Sequence, residues 1–219
     1  MAIEERKKIT IVGCGPGWTS LLTEAGRQAI SKASVLAGAP HLLEAFASPG
    51  HERICFGGAS GLDLQGVLSA VADRFEKRRT AILVSGDPGI GSLARPVLQT
   101  FGRDTCEVIP GISSVQLAFA RLGLDWTDAR ILSAHREIPD LSVETLSGFG
   151  VVAILGGHRR AQEWIADVAG NMGGNRTLVV CQDLSLPGEK IERLSASEFR
   201  LISLSTRTIV LIVREELLL

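Results

Sequence analysis

No stretch of this 219-residue chain approaches the roughly 20 consecutive apolar residues that a membrane-spanning helix needs. The longest unbroken aliphatic runs, Val151–Leu155 and residues 209–213, are the length of strands. The opening octet MAIEERKK carries two acids, and the apolar run behind it meets glycine within five residues, so no signal peptide is expected. Positive charge is not in surplus either. Lys and Arg number 23 against 24 Asp and Glu, a net charge of −1, whereas chains that hold duplex nucleic acid carry a basic excess. Cysteine is scarce and dispersed: Cys14, Cys55, Cys106 and Cys181 form no CxxC, and His41, His51, His135 and His158 form no HExxH or paired-ligand pattern. No lysine follows a glycine, so no phosphate-binding GxxxxGK[ST] loop exists. These absences predict a reduced, cytoplasmic, soluble and metal-free protein, with neither nucleic acid nor membrane as partner.

What is present is apolar and periodic. Hydrophobic residues make up 45% of the chain and charged residues 21%, enough for one large core or two modest ones. Strand-like runs at residues 8–12, 34–37, 54–56, 80–85 and 105–109 alternate with helical spacing at 21–31, 62–77 and 93–101. In the second of these helices Leu64, Val67, Leu68, Val71 and Phe75 recur at three- and four-residue steps, the mark of one apolar face. Such alternation argues for α/β architecture with a mostly parallel sheet. The second half adds a helix at 113–122 and strands at Arg130–Ser133, Val151–Leu155, 177–181, Lys190–Leu194 and 208–213. No long helix separates the last three, which predicts an antiparallel stretch in a mixed sheet. The expectation is two α/β domains, residues 1–112 and 113–219, with a ligand cleft between them and the hinge between Gly111 and Asp125.

Glycine-rich turns follow four of the apolar strands: Gly13-Cys14-Gly15-Pro16-Gly17, Gly86-Asp87-Pro88-Gly89, Pro110-Gly111-Ile112-Ser113-Ser114 and Gly156-Gly157. Strand carboxyl ends share one edge of a parallel sheet, and ligands bind there. The first turn begins like the dinucleotide fingerprint GxGxxG, but Trp18 stands where the third small residue belongs, and Pro16 lacks an N–H for a pyrophosphate. A ligand without phosphate suits these turns better.

Three of these segments carry a resemblance. GCGPGWTSLLT resembles the GxGPGxxxxLT opening of the tetrapyrrole (corrin/porphyrin) methyltransferase family, SGDPGIGSLA its GDP loop, and EVIPGISSVQLAFARLGLDW its PGxSS segment, in family order and spacing. With the continuation DARILSAHRE, the last segment is most similar to the branch that methylates C5 of cobalt-precorrin-7 or precorrin-6Y in cobalamin biosynthesis. The likeness is strong through about residue 136 and weaker beyond. Two departures stand out: the aromatic of the family's GDPxxYG is absent, and a common HGR reads His135-Arg136-Glu137.

The resemblance implies S-adenosyl-L-methionine as cofactor, S-adenosyl-L-homocysteine as product, a precorrin-type tetrapyrrole as substrate, and a homodimer. It also implies association with a separate C15-methyltransferase/decarboxylase. Carried over motif by motif, the cofactor residues are Pro16, Ser85, Gly86, Asp87, Ile90, Ser113, Ser114, Leu155 and Leu184. Asp87 and His135 are the candidate catalytic residues, and Arg121 and Arg136 the candidate contacts for substrate carboxylates, with Arg159 and Arg160 considered alongside them. Methyl transfer from an activated sulfonium asks for alignment and exclusion of water, not a nucleophilic triad. The alternatives are methylation at another precorrin position or of uroporphyrinogen and, in a different class, an NAD-linked oxidoreductase or a non-catalytic nucleotide-binding module.

Overall fold

The computed structural model describes residues 8–17, 19–59, 61–135 and 137–218. The chain divides into two compact units, Met1–Ser113 and Ser114–Leu219.

In the first unit five strands form one parallel sheet: β1 Ile9–Gly13, β2 Val35–Gly38, β3 Glu52–Cys55, β4 Thr80–Val84 and β5 Cys106–Ile109, in the spatial order β3-β2-β4-β1-β5. Four helices connect them: α1 Glu24–Lys32, α2 Pro40–Phe46, α3 Leu64–Phe75 and α4 Ala94–Phe101. Strand side chains alternate between faces. Ile9, Ile11, Ile82 and Val84 pack with Val67, Val71 and Val97 of α3 and α4. Val12, Leu36, Ala81 and Leu83 pack on the other face with Ile30, Leu42 and Leu43 of α1 and α2. Because both faces are covered, β4 is buried along its whole length and apolar after Thr80, which is why its TAILV run could be recognised as a strand. Helix starts are fixed by side-chain caps: Thr23 Oγ1 accepts the Gly26 N–H at 3.1 Å, and Asp63 Oδ1 accepts the Gly66 N–H at 2.7 Å.

The strand order makes two connections cross. From β1 the chain passes over β4 to β2 through α1, and from β4 it passes over β1 to β5 through α4 on the opposite face. The turns after β1 and β4 therefore stand side by side at the carboxyl edge of the sheet, where α/β sheets bind ligands.

The second unit holds a mixed sheet of β6 Arg130–Ser133, β7 Val151–Leu155, β8 Arg176–Gln182, β9 Lys190–Leu194 and β10 Thr208–Arg214, in the order β6-β7-β10-β8-β9. Only β6 and β7 run parallel; β10 is antiparallel to both β7 and β8, and β9 is antiparallel to β8. Its helices are α5 Ser114–Leu122, α6 Val143–Ser147, α7 Arg159–Asn171 and α8 Ala196–Phe199. Ile154, Val180, Val210 and Ile212 pack on one face with Ile165 of α7 and Phe199 of α8. The α/β class and the mixed second sheet agree with the sequence reading, but α2, α6, α7 and the short α8 are additions to it. Helix α7 presents Arg159, Arg160, Gln162 and Glu163 in its first turns, and its apolar face is built partly from small residues such as Ala161 and Ala166. Among the described residues no helix is long and apolar enough to cross a membrane, and no three His, Cys, Asp or Glu side chains gather as a metal site.

Candidate functional site

At the carboxyl edge of the first sheet, three glycine-rich turns interlock through backbone. The Cys14 N–H donates to the Val84 carbonyl at 2.9 Å. Gly15 and Gly86 exchange hydrogen bonds, Gly15 N–H to Gly86 O at 3.2 Å and Gly86 N–H to Gly15 O at 2.8 Å. Gly111 closes the group so tightly that a Cβ there would lie 2.3 Å from the Gly86 carbonyl oxygen and 2.7 Å from that of Gly13. Asp87 is the stitch between turns: Oδ1 accepts the Gly89 N–H at 2.7 Å and Oδ2 the Gly111 N–H at 3.2 Å.

This bonding decides what the edge can hold. A phosphate cradle needs N–H groups aimed at the ligand. Here the N–H groups of Gly15, Gly86, Gly89 and Gly111 are turned to internal acceptors, and Pro16 has none. What the edge does offer is room at Gly86. Its φ is +66°, a left-handed conformation suited to glycine, and a Cβ built there would meet nothing closer than the Ser113 Cα at 3.9 Å. Pro16, Ser85, Gly86, Asp87, Ile90 and Ser113 thus come together on one edge: Pro16 follows the Gly15–Gly86 bridge, the Ile90 N–H donates to the Asp87 carbonyl at 3.2 Å, and Ser113 faces Gly86. The set fits an organic cofactor without phosphate.

Two further groups line this edge. His41, near the start of α2, places Nε2 3.2 Å from the Ser85 hydroxyl. Sequence reasoning had no signal for it, because His41 belongs to no motif and α2 was not foreseen. Cys14 is 1% exposed, its Sγ–H donates to the Val12 carbonyl at 3.5 Å, and burial pushes its thiol up to about 12. That excludes it as a thiolate nucleophile near neutral pH.

In the second unit Ser114 opens α5, Leu155 closes β7, and Leu184 is 4% exposed in the loop between β8 and β9. The fourth glycine turn serves packing, since a Cβ on Gly157 would lie 2.0 Å from the Ser205 carbonyl oxygen. His158 caps α7: Nδ1 accepts the Ala161 N–H at 3.2 Å while Nε2–H donates to the Ala134 carbonyl at 2.7 Å. His135 stands one residue beyond that carbonyl. Although part of His135 remains in solvent, burial of its imidazole first, and the charge of His158 second, lower its pKa below the ordinary histidine value. Arg121, expected at a substrate carboxylate, is engaged within the protein, donating to Glu189 through Nε at 2.7 Å and a terminal nitrogen at 3.3 Å. Arg159 pairs with Glu163 one turn on at 2.9 Å, and Arg160 is exposed. Trp18 and Arg136 lie outside the described residues.

The family model of the tetrapyrrole (corrin/porphyrin) methylases matches residues 8–200. The chain belongs to that family. A cobalt-precorrin-7 C(5)-methyltransferase of Salmonella typhimurium is 33% identical over 190 residues, covering 86% of this chain and 91% of that one. Among solved structures, a precorrin-6Y methylase from Archaeoglobus fulgidus aligns with a TM-score of 0.72 at 25% identity, over 95% of this chain and 98% of that one. A uroporphyrin-III C-methyltransferase from Thermus thermophilus, complexed with S-adenosylhomocysteine, aligns with a TM-score of 0.75 at 18% identity, over 94% and 92% of the two chains. This tetrapyrrole methylase therefore shares its fold with members whose named substrates differ. Its membership removes the NAD-linked and non-catalytic readings, in agreement with glycine turns whose N–H groups point inward.

Proposed function

We propose that this chain transfers a methyl group from S-adenosylmethionine to C5 of a precorrin macrocycle, cobalt-precorrin-7 or precorrin-6Y, in cobalamin biosynthesis. The observation that carries this reading is the likeness to the Salmonella typhimurium cobalt-precorrin-7 C(5)-methyltransferase along nearly the whole of both chains. The interlocked turns support the cofactor half of it, because they provide close backbone approach at Gly86 without a phosphate cradle.

When bound, S-adenosylmethionine supplies a methyl group already activated on a sulfonium. The residues proposed to hold it are Pro16, Ser85, Gly86, Asp87, Ile90 and Ser113 in the first unit and Ser114, Leu155 and Leu184 in the second. Asp87 acts by keeping the turns after β4 and β5 in register. Alignment of reactants contributes about 7–11 kcal/mol in well-oriented systems, so rigid turns are a direct catalytic asset. His135, held neutral through the neutral pH range, is the group proposed to accept a proton on an imidazole nitrogen. Arg136 is proposed to meet substrate carboxylates. A homodimer, a partnership with a separate C15-methyltransferase/decarboxylase and a cytoplasmic location complete the proposal.

The decisive experiment is mass spectrometry of the products after incubation with S-adenosylmethionine and purified cobalt-precorrin-7. A gain of one methyl group, mapped to C5 by nuclear magnetic resonance, is expected. Unchanged substrate, alongside methylation of uroporphyrinogen or of another precorrin, would overturn the assignment.

A further inference from the structure

The loop between β8 and β9 carries backbone strain in an unusual place. Among the described residues, Asp183 and Ser185 are the non-glycine positions with positive φ, +46° and +65°. Left-handed backbone at such residues is unfavourable and persists only where the surroundings impose it. The two flank Leu184, which they turn inward to 4% exposure.

Each strained residue has its own anchor. The Asp183 N–H donates to the Arg207 carbonyl at 3.2 Å, and its carboxylate accepts the Ser205 hydroxyl at 2.9 Å. The Ser185 N–H donates to Glu189 Oε2 at 2.6 Å. Glu189 is in turn gripped on both oxygens by the Arg121 guanidinium, which reaches from the last turn of α5 across 68 positions of sequence. One carboxylate therefore joins the helix opened by Ser114 to the loop that carries Leu184. Arg121 and, after it, the Ser185 N–H hold the Glu189 carboxyl below the usual glutamate range, so the anchor is charged near neutral pH.

We propose that Glu189 is a positioning residue for the cofactor, fixing Leu184 through Ser185 while Arg121 fixes Glu189. The inference rests on the assignment of Leu184 to the cofactor made above. Glu189 touches no reacting atom in this role. It sets the place of an apolar side chain against the cofactor, and the strain at Asp183 and Ser185 is what that placement requires. Arg121 is then the far end of this tether and not a receptor for substrate carboxylates.

The test is calorimetric titration of the full chain with S-adenosylhomocysteine, using wild type, Glu189→Ala, Glu189→Gln and Arg121→Lys, with melting curves on each. Glu189→Ala is expected to weaken binding at least about tenfold. Glu189→Gln keeps an acceptor for the Ser185 N–H but loses the charge-assisted fork, and is expected to weaken it about threefold. Arg121→Lys retains charge without the planar fork and should resemble Glu189→Gln. In steady-state assays the KM for S-adenosylmethionine should rise in parallel, with kcat at saturating cofactor kept within about twofold. Folded variants that melt earlier yet bind like wild type would show that Glu189 merely supports the fold, and a fall in kcat with unchanged KM would assign it a different role. Either result overturns the proposal. If Glu189→Ala does not fold, Glu189→Gln decides. A wild-type chain that does not bind S-adenosylhomocysteine removes the cofactor assignment itself, and this inference with it.

Discussion

The Oδ2 oxygen of Asp87 accepts the N–H of Gly111 at 3.2 Å, joining the turn after β4 to the turn after β5. Gly111 is buried, so removing this acceptor strands an N–H away from water. Asp87→Ala should therefore destabilise the fold by about 1–3 kcal/mol, a fall of roughly 2–12 °C in the melting midpoint for a chain of this size. Asp87→Asn retains an acceptor for one of the two N–H groups and should lose about half as much. Melting curves of the two variants without ligand check this. An unchanged midpoint for Asp87→Ala would mean that the carboxylate serves only a bound molecule.

Gly86 and Gly111 stand side by side in the interlocked turns but should respond oppositely to alanine. A methyl group at Gly86 meets no protein atom within 3.9 Å, so the fold loses only the glycine's left-handed freedom, about 1–2 kcal/mol. The same methyl group stands where the cofactor is proposed to approach, and affinity for S-adenosylhomocysteine should drop at least about tenfold, or 1.4 kcal/mol. At Gly111 the new Cβ would be 2.3 Å from a backbone oxygen that cannot move without breaking the Gly15–Gly86 pair. Gly111→Ala should cost about 3 kcal/mol or more in stability before any ligand is added. Calorimetry and melting of both variants separate the two effects. Gly86→Ala binding at wild-type strength would remove Gly86 from the site.

Much of this architecture is legible from the chain because its strands are buried on both faces or end in glycine. The run TAILV could hardly be anything but an interior strand, and GDPG marks its end. Helix α7 is less legible, since its buried face leans on Ala161, Ala166 and the amide of Gln162, which donates to the Phe199 carbonyl at 2.6 Å. The glycine turns announce an edge where ligands bind, but not how the polar side chains there are engaged. Asp87 binds backbone amides and Arg121 binds Glu189, a partner with no sequence proximity. Sequence assigns such residues a chemistry, whereas folding assigns them a partner.

The cysteines make a prediction independent of any ligand. Burial pushes the thiols of Cys14 and Cys181 up to about 12 and raises that of Cys106, while Cys55 is only half-buried. Alkylation requires the thiolate and access to it. Iodoacetamide near neutral pH should label Cys55 in the native protein and spare the other three, and all four should react in denaturant. Peptide mass mapping reads the pattern directly. Early labelling of Cys14 would mean that the turn after β1 opens in solution.

His135 tests the positioning account of catalysis. General acid–base assistance is typically worth 10²–10⁴-fold, less than alignment contributes. His135→Ala should cost at most about a hundredfold in single-turnover methylation and leave S-adenosylhomocysteine affinity unchanged, because His135 lies outside the glycine turns. Its lowered pKa gives the direction of the pH dependence. The neutral imidazole persists below the ordinary value of about 6.5, so the acid limb of the wild-type kcat/KM profile should fall below that pH and vanish in the variant. Stability moves the same way. The unfolded chain binds the His135 proton more readily than the native one, so stability is fully present above about 6.5 and is lost as pH falls through the lowered native pKa. His135→Ala removes that part of the acid loss, which denaturant midpoints measured on either side of the window will show. A variant with no detectable methylation and intact cofactor binding would instead make His135 an indispensable base, and alignment alone would no longer account for the rate.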